Sequence, residues 1–293
     1  MRIFFGEDQL AKYYFVGYYA LMNILAIDFG GSTIDVVRFE AGEFVSRDSY
    51  ERNQVDTSGL EQFIEDAEID LEGAQEIRVT GGKSHQVAAE ISDVPVRRVN
   101  EIQAIGAGGK WLFESDEDCL VVSMGTGTCM VAARDGGFEH VGGTGVGGGT
   151  FVSLCNLILK ESDPEKLVEM FAKGDRFKVD LSVKDIVGKG IGKVPGHMTA
   201  SNLGKIARTP NEIDFEQEDL AAGVANLVGQ TIATSAVFAA RAENLTKVVL
   251  AGKLSRIEPI VKIIFEVGEL YEREIVLPKN AEYVSAIGAA VVK

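Results

Sequence analysis

The chain has 293 residues, 46% of them hydrophobic and 25% charged, which is the composition of a folded globular protein rather than a disordered one. Its net charge of −15 excludes the basic footprint of a nucleic-acid binder and disfavours an anionic membrane surface. The three cysteines, Cys119, Cys129 and Cys155, form no C-x-x-C pair, which argues against a disulfide framework or zinc site and fits a reducing cytoplasm.

Residues 1–21 are crowded with Phe and Tyr, and the apolar part from Tyr13 is too short to span a bilayer. Glu7 and Asp8 do not suit a signal peptide. The segment reads as a leader, a tag or an over-long start, with a domain beginning at Met22. From there "NILAIDFGGSTIDVVRFEAGEF" predicts strand, Gly-Gly turn, strand, turn and a third strand. "TSGLEQFIEDAEI" predicts a helix capped at Thr57 or Ser58. "EIRVTGG" predicts a strand ending at Gly81-Gly82, and "EIQAIGAGGKWLF" a helix. "DCLVVSMGTGTCMVAARDGGF" repeats the opening pattern, with a glycine turn from Gly125 to Thr128 between two strands. The repetition divides the chain into an N-terminal lobe, 22–115, and a C-terminal lobe, 116–293.

Helical patterns dominate the remainder. They cover "GGGTFVSLCNLIL", "DPEKLVEMFAKGD", the long stretch Asp219–Asn244 and "RIEPIVKIIFEVGELY". Asp163-Pro164 is a cap followed by a first-turn proline. "KVVLAGKLS" predicts a strand entering a glycine turn, and "EYVSAIGAAVVK" a short helix of small residues. The long helix suits a homodimer contact.

"HVGGTGVGGGTF" places six glycines between Gly142 and Gly149. Such a run is entropically unfavourable unless something must approach the main chain closely. It is not a Walker A loop: the "TGGKS" at Thr80–Ser84 lacks the upstream glycine, since position 77 is Ile77. "GTGVGG" matches the dinucleotide pattern, but the chain lacks the opening strand–loop–helix unit. Phosphate binding by main-chain N–H groups, helped by the helix start at Thr150, fits better. Asp28, at the mouth of the first turn, is suited to hold Mg²⁺ directly or through water. The ligand that combines these needs is a nucleoside triphosphate with its metal.

The strand–"DFGGST"–strand pattern, repeated as strand–"GTGT"–strand, resembles the actin and sugar-kinase superfamily. The motifs "VNEIQAIGAGG", "HVGGTGVGGGTF", "KGDRFKVDLSVKDI", "PGHMTASNLGK" and "YVSAIGAA" make the chain similar to type II pantothenate kinases from Met22 to Lys293. That resemblance implies an α/β fold of two ribonuclease-H-like lobes around an ATP cleft. It implies an ATP- and Mg²⁺-dependent kinase acting on pantothenate, a small-molecule substrate, as the first step of coenzyme A biosynthesis. By resemblance Glu101 is the catalytic base. Gly30, Gly31, Ser32 and Thr33 hold phosphates, Gly125, Thr126 and Gly127 form the second phosphate tip, and Gly148 and Gly149 belong to the nucleotide segment. Gly252 lies by the adenine, and His140 and Gly142 with Glu101 meet the substrate. Two positions depart from the family: Asp35 stands where its first loop has lysine, and His140 where an arginine meets the substrate. They leave open a different small hydroxyl acceptor, or an ATPase of this fold acting as an enzyme activator. Gly174–Arg176 reads as a turn with a local ion pair.

Overall fold

The computed structural model describes residues 22–53, 59–82, 87–208 and 214–293. The leader, the cap candidates Thr57 and Ser58, and the segment around His85 lie outside them. The chain forms two compact units. The first comprises the described residues up to Ser115, with Gly137–Glu139 and Tyr283–Lys293; the second comprises Asp116–Gly136 and His140–Glu282. The first unit thus takes in the C-terminal segment as well as the residues up to Ser115.

In the first unit β1 (Ile24–Phe29), β2 (Thr33–Glu40) and β3 (Glu43–Glu51) form an antiparallel meander. β4 (Glu76–Gly81) and β6 (Val94–Arg98) continue the sheet parallel to β1, and β5 (Glu90–Ile91) closes the order β3-β2-β1-β4-β6-β5. β1 is apolar along almost its whole length because both its faces are covered. Leu25, Ile27 and Phe29 point to one face, where Leu60, Phe63 and Ile64 of α1 (Leu60–Asp66) complete a core with Ile34, Val36, Ile77 and Val79. Gly59 occupies the N-cap of α1 and, having no side chain, gives no capping bond.

The helices α2 (Glu101–Phe113) and α9 (Val284–Val291) pack against each other, and α9 also packs on β1, β2 and β4. Their backbones approach so closely that a Cβ on Gly288 would lie 1.7 Å from the Ala104 carbonyl oxygen, and one on Gly108 would lie 1.9 Å from that of Val284. Arg78 on β4 is 1% exposed. Its Nε donates to Glu76 at 2.7 Å, and its Nη1 donates to the carbonyls of Ala290 and Val292 at 2.7 and 2.9 Å. It thus satisfies the C-terminal carbonyls that a helix leaves open. These contacts tie the C-terminal segment to the first unit, and no local sequence signal announces them.

The second unit repeats the plan. β7 (Cys119–Met124) and β8 (Thr128–Arg134) are an antiparallel hairpin, and β12 (Lys247–Ala251) and β13 (Glu274–Val276) extend it in parallel on the other side of β7. β9 (Gly137–Thr144) completes the order β13-β12-β7-β8-β9, the same succession as β6-β4-β1-β2-β3. Helices α3 (Gly148–Leu159), α4 (Pro164–Lys173), α7 (Gln217–Ala242) and α8 (Glu258–Leu270) contribute to its core. α7 is long and apolar enough to cross a bilayer by length and composition alone. Its Ala221, Val224, Val228, Ile232 and Ala236 are instead buried among Leu120, Val122, Met130 and Leu250, as in the core helix of a globular protein. Between α4 and α7 lie the pair β10 (Leu181–Ser182) and β11 (Thr199–Ser201) and the short helices α5 (Val183–Val187) and α6 (Gly204–Arg208). Gly174 and Asp175 lead from α4 into a 3-10 turn at Arg176–Lys178, which Asp175 caps. The ion pair expected to be local is instead long-range: Arg176 pairs with Glu266 and also bonds to Asn226.

Candidate functional site

The residues singled out by sequence fall into two groups, one on each unit. In the first unit, β1, β4 and β6 all run the same way, so their C-terminal ends share one edge of the sheet. That edge carries Asp28, Gly81 and, just past β6, Glu101. Parallel sheets place ligands at this edge. Asp28 stands directly opposite Asp35 on β2 and Thr80 on β4, so the three side chains share one face. Ser49 on β3 extends the row, its Oγ donating to Asp35 at 2.7 Å. Thr80 is fully buried and its Oγ1 has no hydrogen-bond partner among the described residues.

Gly81 has φ +87° and could not carry a side chain: a Cβ there would lie 2.5 Å from the Phe29 carbonyl oxygen and 2.6 Å from Asp28 Oδ1. Glycine at the end of β4 thus lets that strand pass beside the acid. Beyond Asp28, Gly31 and Ser32 are exposed at the tip of the first turn, with Gly30 and Thr33 half-buried. Arg52, just beyond β3, braces this turn: its amide donates to the Ser32 carbonyl at 3.1 Å and its Nη1 to that of Gly30 at 2.5 Å.

Glu101 is the first residue of α2 and is exposed. Its position is fixed by Asn100, whose Oδ1 accepts from the amides of Ile102 at 2.9 Å and Gln103 at 3.3 Å. An asparagine cap takes up orphan donors of the first turn and favours a carboxylate at the helix start. Behind Glu101 the helix is held by contacts only glycine permits, at Gly108 against α9 and at Gly106, where a Cβ would meet Phe138 at 2.3 Å.

In the second unit the structure brings together the turn between β7 and β8, the start of α3 and Gly252. The glycine stretch is not one loop. His140, exposed, and Gly142 lie on β9, and only residues 145–147 connect that strand to α3. Much of the run is explained by the neighbouring turn: a Cβ on Gly147 would lie 2.6 Å from the carbonyl of Gly127, and one on Gly143 would lie 2.5 Å from that of Thr128. What approaches the glycines here is therefore the chain itself. Gly142 and Gly145 have open space beside them.

The amides of Gly148 and Gly149, assigned by resemblance to the nucleotide segment, donate to the carbonyls of Gly125 at 2.7 Å and Thr126 at 3.0 Å. They tie the turn to the helix, and α3 begins at Gly148 rather than Thr150. Thr128 Oγ1 adds a bond to the Val146 carbonyl at 2.8 Å. Gly252, with φ +83°, sits against the backbone of Met124, where a Cβ would lie 2.6 Å from its carbonyl.

Sequence reasoning missed Arg52, Thr80 and Asn100. Asn100 could have been found from its place before a helical pattern. Thr80 and Arg52 carry no local signal.

Comparison with known proteins fits this arrangement. The Fumble family matches residues 24–291. The chain is 28% identical over 274 residues to the type II pantothenate kinase of Oceanobacillus iheyensis, covering 92% of this chain and 98% of that relative. It is 26% identical over 233 residues to a type II pantothenate kinase of Bacillus cereus strain G9842, covering 78% and 82%. Among solved structures it is similar to the activator of the 2-hydroxyisocaproyl-CoA dehydratase from Clostridium difficile with bound ADPNP. The TM-score is 0.62 at 15% identity, over 92% of this chain and 93% of that one. A ROK family glucokinase from Streptomyces griseus in complex with glucose and AMPPNP gives 0.57 at 12% identity, over 92% and 98%. At such identities these structures speak to the fold alone, and they share the α/β fold of actin-like ATPases and sugar kinases. With its family matched from the first strand to the last helix, the chain belongs to the Fumble family.

Proposed function

We infer that the chain is a pantothenate kinase, transferring the γ-phosphoryl group of ATP to the hydroxyl of pantothenate as the first step toward coenzyme A. The observation that carries this is the match to type II pantothenate kinases over 92% of the chain, with the strand–glycine turn–strand unit present once in each half of the fold.

The residues of the first turn suit a nucleotide with its metal. Asp28 offers carboxylate oxygen at the sheet edge, and the buried, unpartnered hydroxyl of Thr80 stands beside it. A hard divalent cation takes oxygen ligands of this kind. Bound there, Mg²⁺ would neutralise charge on the phosphates. The exposed tip at Gly31 and Ser32, with Gly30 and Thr33, gives phosphates access to the main chain. Gly125, Thr126 and Gly127 offer a second such tip. Gly148 and Gly149, in the nucleotide segment, hold that tip in shape through their amides. Gly252, packed behind it, takes the adenine side.

Glu101 is the general base. It is exposed, rigidly placed by Asn100, and acidic, so it can accept the hydroxyl proton as the alcohol attacks the phosphorus. His140 and Gly142 on β9 are the residues that meet the acceptor. Because His140 cannot make the two-pronged bond of an arginine to a carboxylate, an acceptor other than pantothenate is the second reading. The chain is proposed to work in the cytoplasm as a homodimer, which sedimentation analysis of the purified protein would test.

The deciding experiment measures ADP release with and without pantothenate, with the product identified by mass spectrometry. Stimulation by pantothenate and a product heavier by one phosphate are expected. Hydrolysis that pantothenate does not stimulate would refute it as acceptor. Glu101→Gln should lower kcat by at least roughly 100-fold while ATP affinity stays unchanged; full turnover would remove Glu101 from the mechanism.

A further inference from the structure

The geometry points to Arg52 as a phosphate-contacting cation of this chain's first turn, a role that rests on the nucleotide reading above. The starting point is a charge problem. Asp28 and Asp35 stand opposite one another on one sheet face, with Asp35 only 5% exposed. Opposed carboxylates destabilise a strand pair, and a polyphosphate arriving beside them would add negative charge. A magnesium ion offsets part of this. A fixed protein cation at the turn would offset more.

Arg52 is placed to be that cation. It follows β3 and folds back over the turn rather than away from it. Its amide holds the Ser32 carbonyl and its Nη1 holds the Gly30 carbonyl. These two bonds straddle Gly31, the exposed glycine at the tip. A guanidinium has five N–H donors in a planar fork. One is engaged with Gly30, and the rest of the fork, oriented by that bond, has no further partner among the described residues. Arg52, Gly31, Ser32, Asn53 and the exposed Glu51 line an open cavity of about 530 Å³. The tip residues Gly31 and Ser32 and the residue Arg52 therefore border the same space. A planar, permanently charged fork matches phosphate oxygens better than an ammonium does.

A simpler role would be that Arg52 only braces the turn. The two roles separate by charge. Arg52→Gln keeps a side-chain N–H for the Gly30 carbonyl and loses the charge, whereas Arg52→Lys keeps the charge and loses the fork. Calorimetric titration with ATP·Mg²⁺ and, separately, adenosine is the test. Arg52→Gln should weaken ATP binding by roughly 10- to 100-fold, the loss of a charge-assisted bond, and leave adenosine affinity unchanged. Arg52→Lys should recover much of it. Its ATP affinity should then fall as pH rises through the ordinary lysine range near ~10.4, while the wild-type affinity does not fall with it. Equal ATP affinity in Arg52→Gln and wild type, or a loss shared equally by adenosine, would overturn the proposal. Should the glutamine variant not fold, the lysine variant decides by itself: an ATP affinity no more pH-dependent than the wild type's overturns the proposal. If the wild-type protein itself binds no ATP, the nucleotide reading fails and this proposal with it; if only the variants behave as wild type, this proposal alone fails.

Discussion

Replacing Gly288 by alanine tests how the helix that carries Glu101 is held. Within an ordinary exposed helix the change would stabilise by about 1 kcal/mol, because alanine is the better helix former. Here the sign reverses. The added methyl would sit 1.7 Å from the Ala104 carbonyl oxygen, 2.5 Å from its carbon and 2.7 Å from the Gly108 amide nitrogen. All three are backbone atoms of α2, so no rotamer change can relieve the overlap. Restoring an ordinary contact of about 3.5 Å requires the two helices to part by more than about 1.5 Å. Overpacking of a core costs typically about 1–3 kcal/mol and more where the backbone must move. We expect a net loss of roughly 3–5 kcal/mol, and a fall in melting temperature on the order of 10 °C. The displacement also reaches Glu101, the proposed base at the head of α2, and for a base a misplacement of about 1 Å can cost about 100-fold in rate. Urea and thermal unfolding of Gly288→Ala, with steady-state kinetics on the folded fraction, make the measurement. Gly136→Ala serves as control, since a Cβ there meets nothing within 4 Å. A Gly288→Ala protein as stable as wild type would refute backbone contact between α2 and α9.

Two predictions concern the second unit. Asp180 is fully buried, and burial pushes its carboxyl above the usual value, against the opposing pull of the Leu203 amide, Asn226 and Thr199. Its stabilisation is therefore complete at low pH and is lost as pH rises through the raised value. Asp180→Asn should remove that pH dependence, yet set an amide against the Asn226 Nδ2 that now donates at 2.6 Å, a loss of about 1–3 kcal/mol at neutral pH; urea unfolding across a pH series checks it, and unchanged stability at neutral pH counts against the network. Cys155 is fully buried and burial pushes its thiol up to about 12. It should resist a disulfide reagent at pH 8 in the native protein and react once the protein is unfolded; rapid native labelling at that position would contradict the packing around α3.

The elements most legible in the sequence are those whose cause is local. The meander β1–β3 shows apolar runs broken by glycine turns, and its repetition in β7–β8 is visible by eye. Asp28 is legible as an acid at a strand end. β9 was hidden because the glycines from Gly142 onward read as turn, whereas His140 to Thr144 continue a strand against β8. The glycines of α2 are tolerated in a helix only because Phe138 and α9 come so close, and neither lies nearby in sequence. The ties of Gly148 and Gly149 to the turn at Gly125 and Thr126 are likewise non-local. For the same reason nothing local marks Arg52, just past the exposed strand β3.

The buried guanidinium of Arg78 bears on the order in which the protein matures. Its acceptors, the carbonyls of Ala290 and Val292, emerge from the ribosome only after the whole second unit has been made. Until then a cation in the middle of the first sheet lacks those acceptors, and strands β1, β2 and β4 lack the helix that roofs them. The half of the molecule that is translated first is thus completed last.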